Sequence, residues 1–381
     1  MKVGFLSTFF PFRGGIAQFN ASMYRALERV AEVKAFTFKR QYPDFLFPGE
    51  TQFVTEKDIV DKIPAERVLD SINPLTFGKS ARAINKFQPD LVLTKYWMTF
   101  FGLSLGTVMK KMRKETVRIS ILDNVIPHEK RFFDGISNRF FLKHNDGFIV
   151  MSDKVLGDLL TIKPDAKYLR VDHPLYDHFG EKRDRLESCE RLGLDPTKKI
   201  VLFFGFIRDY KGLDVLIEAT KHLDKDYQVV VAGEVYGSFD KYQNLIDELK
   251  VGDRIKLFNH YIGDDEVPDY FSAADVCVLP YKSATQSGIT SISFHFELPM
   301  IATDVGGLKE TIVDGKYGTI VPEVDSEAVA SAIKNYFAQN LKEKYSAELK
   351  AYRIEHSWEQ FVSKTLLFAE ELQKMKQIKH S

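Results

Sequence analysis

The chain has 381 residues, 44% of them hydrophobic and 28% charged, and its 53 basic and 53 acidic side chains cancel to a formal net charge of zero. That length suits two domains of roughly 170–200 residues rather than one. The composition is that of a globular chain without low-complexity tracts, and no nucleic-acid partner is expected of it. Charge is unevenly spread: residues 1–172 carry a balance of +8 and the remainder −8, which points to two domains with different tasks. The two cysteines, Cys189 and Cys277, have neither CxxC spacing nor a nearby histidine pair, which argues against a disulfide framework or a zinc site.

In chain order, Met1–Phe10 reads as a first strand rather than a signal peptide, because it runs into Arg13-Gly14-Gly15 with no small-residue cleavage site. No stretch approaches the roughly 18 apolar residues of a membrane span, so a cytoplasmic location is expected. Val3–Leu6 is followed by the Gly-Gly turn and a helical pattern through Met23, Leu27 and Val30. Val33–Thr37 is the next strand. Residues 40–74, rich in Pro and Phe, read as an irregular loop with short helices. Strands follow at Asp90–Thr94, Val117–Leu122 and Gly147–Val150, and a hinge is expected between Asp172 and Pro196.

The second half repeats the rhythm. Lys199–Phe204 is a strand, Leu213, Leu216, Ile217 and Thr220 mark a helix, and Gln228–Ala232 is a strand. Ile255–Phe258, Asp275–Pro280, Pro299–Thr303 and Gly318–Pro322 complete the set, with Val267, Tyr270 and Phe271 on an intervening helix. Strands alternating with helices every 20–30 residues predict βαβ units and parallel sheets. The fold class is therefore α/β, as two tandem Rossmann-like doubly wound domains facing across a cleft. The expected boundaries are 1–175 for an N-terminal acceptor domain and 176–355 for a C-terminal donor domain, with a C-terminal helix over 356–381 crossing back to the first. Ligands of such sheets bind beyond the carboxyl ends of the strands.

Four stretches sit there. Phe12–Phe19 carries Gly14 and Gly15 between the first strand and helix, where a backbone can approach an anion at a helix N-terminus; a plain tight turn is the alternative. Gly205-Phe-Ile-Arg-Asp-Tyr-Lys-Gly212 sits at the matching place in the second domain. Its Arg208 and Lys211 suit a departing diphosphate, or are solvated loop cations. Pro280–Gly288 puts Gln286, Ser287 and Gly288 at a helix start whose N–H groups suit phosphate or sugar hydroxyls. Leu122–Glu129 places Asp123 and His128 after a strand, where either orients an acceptor or steadies positive charge, or forms an Asx-type turn beside a surface histidine. His173, His260 and His295 have no evident partner and read as structural.

Lys211-Gly212, Ala273–Pro280 and Pro299–Glu310, in that order, resemble glycosyltransferase family 4 from about residue 199 to residue 322, with a lighter match at Gly14-Gly15. The resemblance implies a GT-B fold, a nucleotide-sugar donor and transfer with retained anomeric configuration, without metal or cofactor. It assigns the donor diphosphate to Arg208 and Lys211, and phosphate and sugar to the loop at Gln286, Ser287 and Gly288. Gly205, Glu310, Tyr261 and Ile262 are the expected contacts to donor sugar and nucleotide. Two glutamates of the family pattern fall on Ala284 and Ile292 here, and Arg208 lies closer to Lys211 than is usual. The expected acceptor is a glycan or lipid-linked glycan in cell-surface polysaccharide synthesis. The basic clusters Lys110–Lys114 and Lys130–Phe133 suggest peripheral contact with an anionic membrane. A non-catalytic nucleotide-sugar-binding protein and a nucleotide-sugar epimerase are the alternatives.

Overall fold

The computed structural model describes residues 1–43, 52–54, 61–126, 134–175, 179–235, 237–284 and 287–378. The chain divides into two compact units, Met1–Pro174 with His356–Ser381, and Leu175–Glu355. Each is built on one all-parallel sheet.

The first unit has β1 (Lys2–Leu6), β2 (Glu32–Arg40), β3 (Ala65–Asp70), β4 (Leu91–Tyr96), β5 (Val117–Leu122), β6 (Gly147–Val150) and β7 (Tyr168–Arg170), in the order β3-β2-β1-β4-β5-β6-β7. Its helices are α1 (Gly15–Glu28), α2 (Pro74–Lys86), α3 (Gly102–Lys110), α4 (Asp134–Lys143) and α5 (Asp153–Ile162). Side chains of β4 alternate between two cores. Leu91 and Leu93 join Phe5, Phe19 and Met23 on one face, and Val92 and Tyr96 join Phe101, Leu105 and Phe141 on the other. Both faces are covered, which is why the central strands read as continuous apolar runs.

Residues 40–74 are not wholly irregular, because β3 lies among them. Only Val68 and Leu69 of that strand are fully buried. Glu66 pairs with Lys34 on the neighbouring strand, and Arg67 donates to the Lys39 carbonyl. An edge strand with so many polar positions has no apolar run to betray it. The short edge strand β7 escaped for the same reason.

The second unit has α6 (Arg185–Leu192), β8 (Lys199–Phe204), α7 (Leu213–Thr220), β9 (Tyr227–Ala232), α8 (Asp240–Leu249), β10 (Ile255–Phe258), α9 (Val267–Ala273) and β11 (Val276–Leu279). It continues through α10 (Gly288–His295), β12 (Met300–Thr303), α11 (Leu308–Ile312), β13 (Gly318–Val321), α12 (Ser326–Ala338) and α13 (Leu341–Glu355). The order β10-β9-β8-β11-β12-β13 reverses its direction between β8 and β11, and the first sheet reverses between β1 and β4. Those are the switch points at which ligands of open α/β sheets bind.

The last helix, α14 (Trp358–Ile378), packs against α1, β5 and β6 of the first unit. Trp358 and Phe361 meet Phe19 edge to face at 4.9 and 5.8 Å, and Leu372 and Phe368 crowd the backbone at Gly147. No helix among the described residues is long and apolar enough to cross a membrane. Phe361 is buried at the centre of this contact. Phe361→Ala is expected to destabilise the first unit by about 3–5 kcal/mol, read as a lowered urea midpoint.

Candidate functional site

At the switch point of the second sheet, the loops after β8 and β11 are tied to one another. Gly212 has φ 67°, and a Cβ there would collide with the Pro280 carbonyl oxygen, so only glycine fits. Lys282 donates its N–H to the Tyr210 carbonyl at 2.7 Å, and Thr303 Oγ1 donates to the Tyr281 carbonyl at 2.6 Å. Lys282 Nζ also pairs with Asp214.

This lacing places Lys211 between the loops. Its side chain is 9% exposed, with Nζ 5.8 Å from the centre of the Tyr281 ring. A Cβ on Gly205 would stand 3.2 Å from that Nζ and 3.1 Å from Ile289 Cδ1. Gly205 has φ 95° and ends β8, so the chain turns there without a side chain to fill the space. Tyr281 reaches Ser287 by a hydroxyl–hydroxyl hydrogen bond of 3.1 Å, and Ser287 caps α10 by accepting from the Ile289 N–H. The space around Gly288 is open. Lys211, Gly205, Tyr281, Ser287 and the start of α10 therefore form one neighbourhood.

Its electrostatics favour an anion. Among the described residues Lys211 has no carboxylate partner. Burial lowers its pKa first and the neighbouring Arg208 guanidinium second, to about 8. Both α7 and α10 present their N-termini here, and the first turn of α10 holds no acidic residue. Burial pushes the Tyr281 hydroxyl up, so it stays neutral. It also pushes Cys277 up to about 12, and both cysteines are buried free thiols.

The other expected positions are dispersed. Arg208 opens the short turn that carries Lys211 and is exposed. Glu310 is exposed on the five-residue α11, and Tyr261 is 63% exposed. The Ile262 side chain is spent in the core beside Tyr270 and Phe204, which leaves only its backbone for a ligand. Gln286 lies outside the described residues, as does His128. Ala284 and Ile292, at the two positions where glutamates were expected, pack against that same core.

In the first unit, Gly14 has φ 103° and precedes α1, whose first residue is Gly15, and the space around both glycines is open. Asp123 follows β5, and its Oδ1 accepts from Lys95 Nζ at 2.7 Å. Lys95 is almost wholly buried. His173, expected to be structural, stands beside this pair. Its Nδ1 is 2.6 Å from the Pro174 carbonyl, its ring meets Phe19 edge to face at 5.3 Å, and burial lowers its pKa. His295 is structural in the plain sense, with Nε2 2.6 Å from the Gly180 carbonyl. Sequence reasoning missed Lys95, although a lysine closing the strand Leu91-Val-Leu-Thr-Lys-Tyr96 is itself a signal.

Residues 184–355 match the family model of the glycosyl transferases group 1. Over 51% of its length the chain is 29% identical to the D-inositol 3-phosphate glycosyltransferase of Mycobacterium marinum, covering 43% of that protein. Over an equal share, 51% of its length, it is 28% identical to the lipopolysaccharide core biosynthesis mannosyltransferase LpsB of Rhizobium meliloti, covering 56% of it. The chain thus spans about half the length of these curated relatives. Among solved structures, a glycosyltransferase of Rickettsia africae superposes with a TM-score of 0.60 at 20% identity, covering 97% of this chain and 98% of the other. Anabaena HepE in complex with UDP superposes with a TM-score of 0.56 at 14% identity, covering 96% and 99%. At such identities the likeness establishes the fold, the GT-B pair of Rossmann-like units.

The buried cation has a stability signature. Folded, Lys211 loses its proton near pH 8; unfolded, near its ordinary 10.5. The folded chain binds fewer protons between those values, so stability rises as pH climbs from about 8 to 10.5. Below that window the penalty is fully present and on the order of 3 kcal/mol. Lys211→Met is expected to raise stability at pH 7 by about 1–3 kcal/mol and to flatten this rise, as read from urea unfolding at pH 7 and 10.

Proposed function

We propose that the protein is a metal-independent glycosyltransferase that moves a sugar from a nucleotide-sugar to a hydroxyl acceptor with retained anomeric configuration. The observation that carries this reading is the Lys211 ammonium, buried between two helix N-termini at the switch point of the second sheet with no carboxylate partner among the described residues. Such a cradle suits the diphosphate of a donor, whose charge grows as the bond to the sugar breaks. The family-model match over residues 184–355 and the UDP bound to HepE support the choice of ligand.

In the proposed reaction the bond between the anomeric carbon and the diphosphate oxygen breaks. The acceptor oxygen bonds to that carbon from the same face, and its proton passes to the departing phosphate oxygen. Lys211, Arg208 and the N–H groups at Ser287 and Gly288 take up the diphosphate charge, and Gly205 leaves room for the donor beside Lys211. Gly14 and Gly15 offer backbone to the same ligand, and Glu310, Tyr261 and the Ile262 backbone meet donor sugar or base. Asp123 receives the acceptor hydroxyl, and His128, outside the described residues, is the second group assigned to this step. No protein nucleophile is needed.

A screen of UDP, GDP and ADP by thermal shift tests the donor site. At least one is expected to raise the melting temperature, and Lys211→Met to weaken its binding at least tenfold. Because the diphosphate prefers the ammonium form, affinity should fall as pH rises through about 8. With the matching sugar nucleotides, release of diphosphate supports transfer. Interconversion of the free sugar nucleotide would instead mean an epimerase, and binding without turnover a non-catalytic protein.

The acceptor we propose is a glycan or lipid-linked glycan, reached by peripheral contact with an anionic membrane at its inner face. Leu103 and Ile136 are 54% and 71% exposed in the first turns of α3 and α4. Those turns touch, since a Cβ on Gly102 would stand 2.6 Å from the Ser137 carbonyl oxygen. Lys110 and Lys111 at the end of α3 and Arg139 on α4 add positive charge; the cluster Lys130–Phe133 lies outside the described residues. Co-sedimentation with phosphatidylglycerol vesicles is expected, and Leu103→Ser with Ile136→Ser should reduce it severalfold; equal recovery with neutral vesicles would overturn this contact.

A further inference from the structure

Lys95 lies in β4 in line with Leu91 and Leu93, on the face that packs against α1 and α14. Every other side chain in that line is apolar, yet here an ammonium is only 2% exposed. It has one anionic partner, Asp123 Oδ1 at 2.7 Å, and its Nζ sits 3.5 Å from the centre of the Phe19 ring. Burial pulls the Lys95 pKa down and the Asp123 carboxylate pushes it back up. Buried pairs of this kind are seldom a gain in stability over apolar side chains of the same volume.

The partner is differently placed. Asp123 follows the last residue of β5, its N–H donates to the Tyr96 carbonyl at 2.9 Å, and its side chain is 23% exposed. Among the described residues its Oδ2 accepts no hydrogen bond. One carboxylate oxygen is thus tied inward to the sheet while the other remains at the carboxyl edge, where ligands of parallel sheets bind. The aromatic surroundings allow the pair little motion: Phe19 is held edge to face by Trp358 at 4.9 Å and by His173 at 5.3 Å.

We infer that Lys95 is a positioning residue: by binding Oδ1 it fixes the Asp123 carboxylate so that Oδ2 accepts a hydrogen bond from the attacking hydroxyl. The inference rests on the proposed transfer reaction. Lys95 itself touches neither donor nor acceptor. Its cation–ring contact and its ion pair set the rotamer of Asp123, as a supporting side chain does for a preorganised site. The hydroxyl so held is that of the acceptor or, in its absence, of water.

The test is a double-mutant cycle on the full chain, read as diphosphate release from UDP-, GDP- and ADP-sugars, with binding of the corresponding nucleoside diphosphate measured in parallel. Lys95→Met and Asp123→Asn are each expected to lower kcat about 10- to 100-fold with donor KM unchanged. The double variant should be no slower than Asp123→Asn alone, because Lys95 acts only through Asp123. Lys95→Arg, which keeps the pair, should restore part of the loss. The double variant removes both buried charges together, so the cycle stays readable through Lys95→Arg and the double variant if Lys95→Met unfolds. Multiplicative losses, an unchanged Lys95→Met, or an unfolded Lys95→Met with Lys95→Arg and the double variant showing no coupling would overturn the inference while leaving transfer intact. A wild-type chain that binds a nucleoside diphosphate and releases none from any donor would overturn the transfer reading, and this inference with it.

Discussion

The contact between Gly212 and the Pro280 carbonyl governs the second unit's site. At φ 67° the backbone after Lys211 turns in a way that brings it against the end of β11, closer than any side chain would permit. Two loops from neighbouring strands at the reversal of the sheet are thereby joined, and the Lys282–Tyr210 and Thr303–Tyr281 hydrogen bonds extend the seam. Lys211 has no freedom to swing to solvent as an ordinary lysine would. Its neighbours at Gly205, Tyr281 and Ile289 determine where the charge lies. The arrangement is a backbone device first and an electrostatic one second.

The two buried lysines illustrate opposite uses of the same residue. Lys95 is nearly inaccessible and neutralised in place by Asp123, so its charge is answered within the protein. Lys211 is slightly more open and has no carboxylate among the described residues, so its charge is answered only when something anionic arrives. A buried unpaired cation destabilises the chain that holds it. The diphosphate proposed to bind here would relieve that penalty, and part of the stability forgone without ligand would return as affinity. This is the sense in which a strained electrostatic position marks a binding site rather than a core.

How much of this was legible in the sequence depended on whether a feature was local. The βα rhythm, the strands Lys199–Phe204 and Val117–Leu122 and the glycines at strand ends were plain, because periodicity and backbone demands act over a few residues. The edge strand Ala65–Asp70 was hidden by its polar half. Lys211 stood out through its neighbours Gly205 and Gly212. Tyr281 did not, because its part in the site arises from a hydroxyl contact to Ser287 and a ring beneath Lys211, neither of which leaves a periodic trace. His173 looked unpartnered because its neighbours Phe19, Lys95 and Trp358 are separated from it by 78 or more positions of chain.

Ala284 and Ile292 show what stands at the two positions where carboxylates were expected. Both side chains pack against the core that also takes Tyr281, Phe294 and Leu279. Among the described residues, the flanks of α10 are therefore anchored by apolar burial of Ala284 and Ile292 and by the Ser287 cap, with no acidic side chain at either position. A site so built contributes few directional polar groups toward a sugar ring and concentrates its specific chemistry on the cation and the backbone N–H groups at the helix start. Removing acidic charge from this neighbourhood also leaves Lys211 unquenched, since a carboxylate at either position would compete for it with an incoming diphosphate. The apolar pair and the uncompensated lysine thus belong together: under the proposed function, the same absence that weakens side-chain contact with a sugar strengthens the field that draws its phosphates.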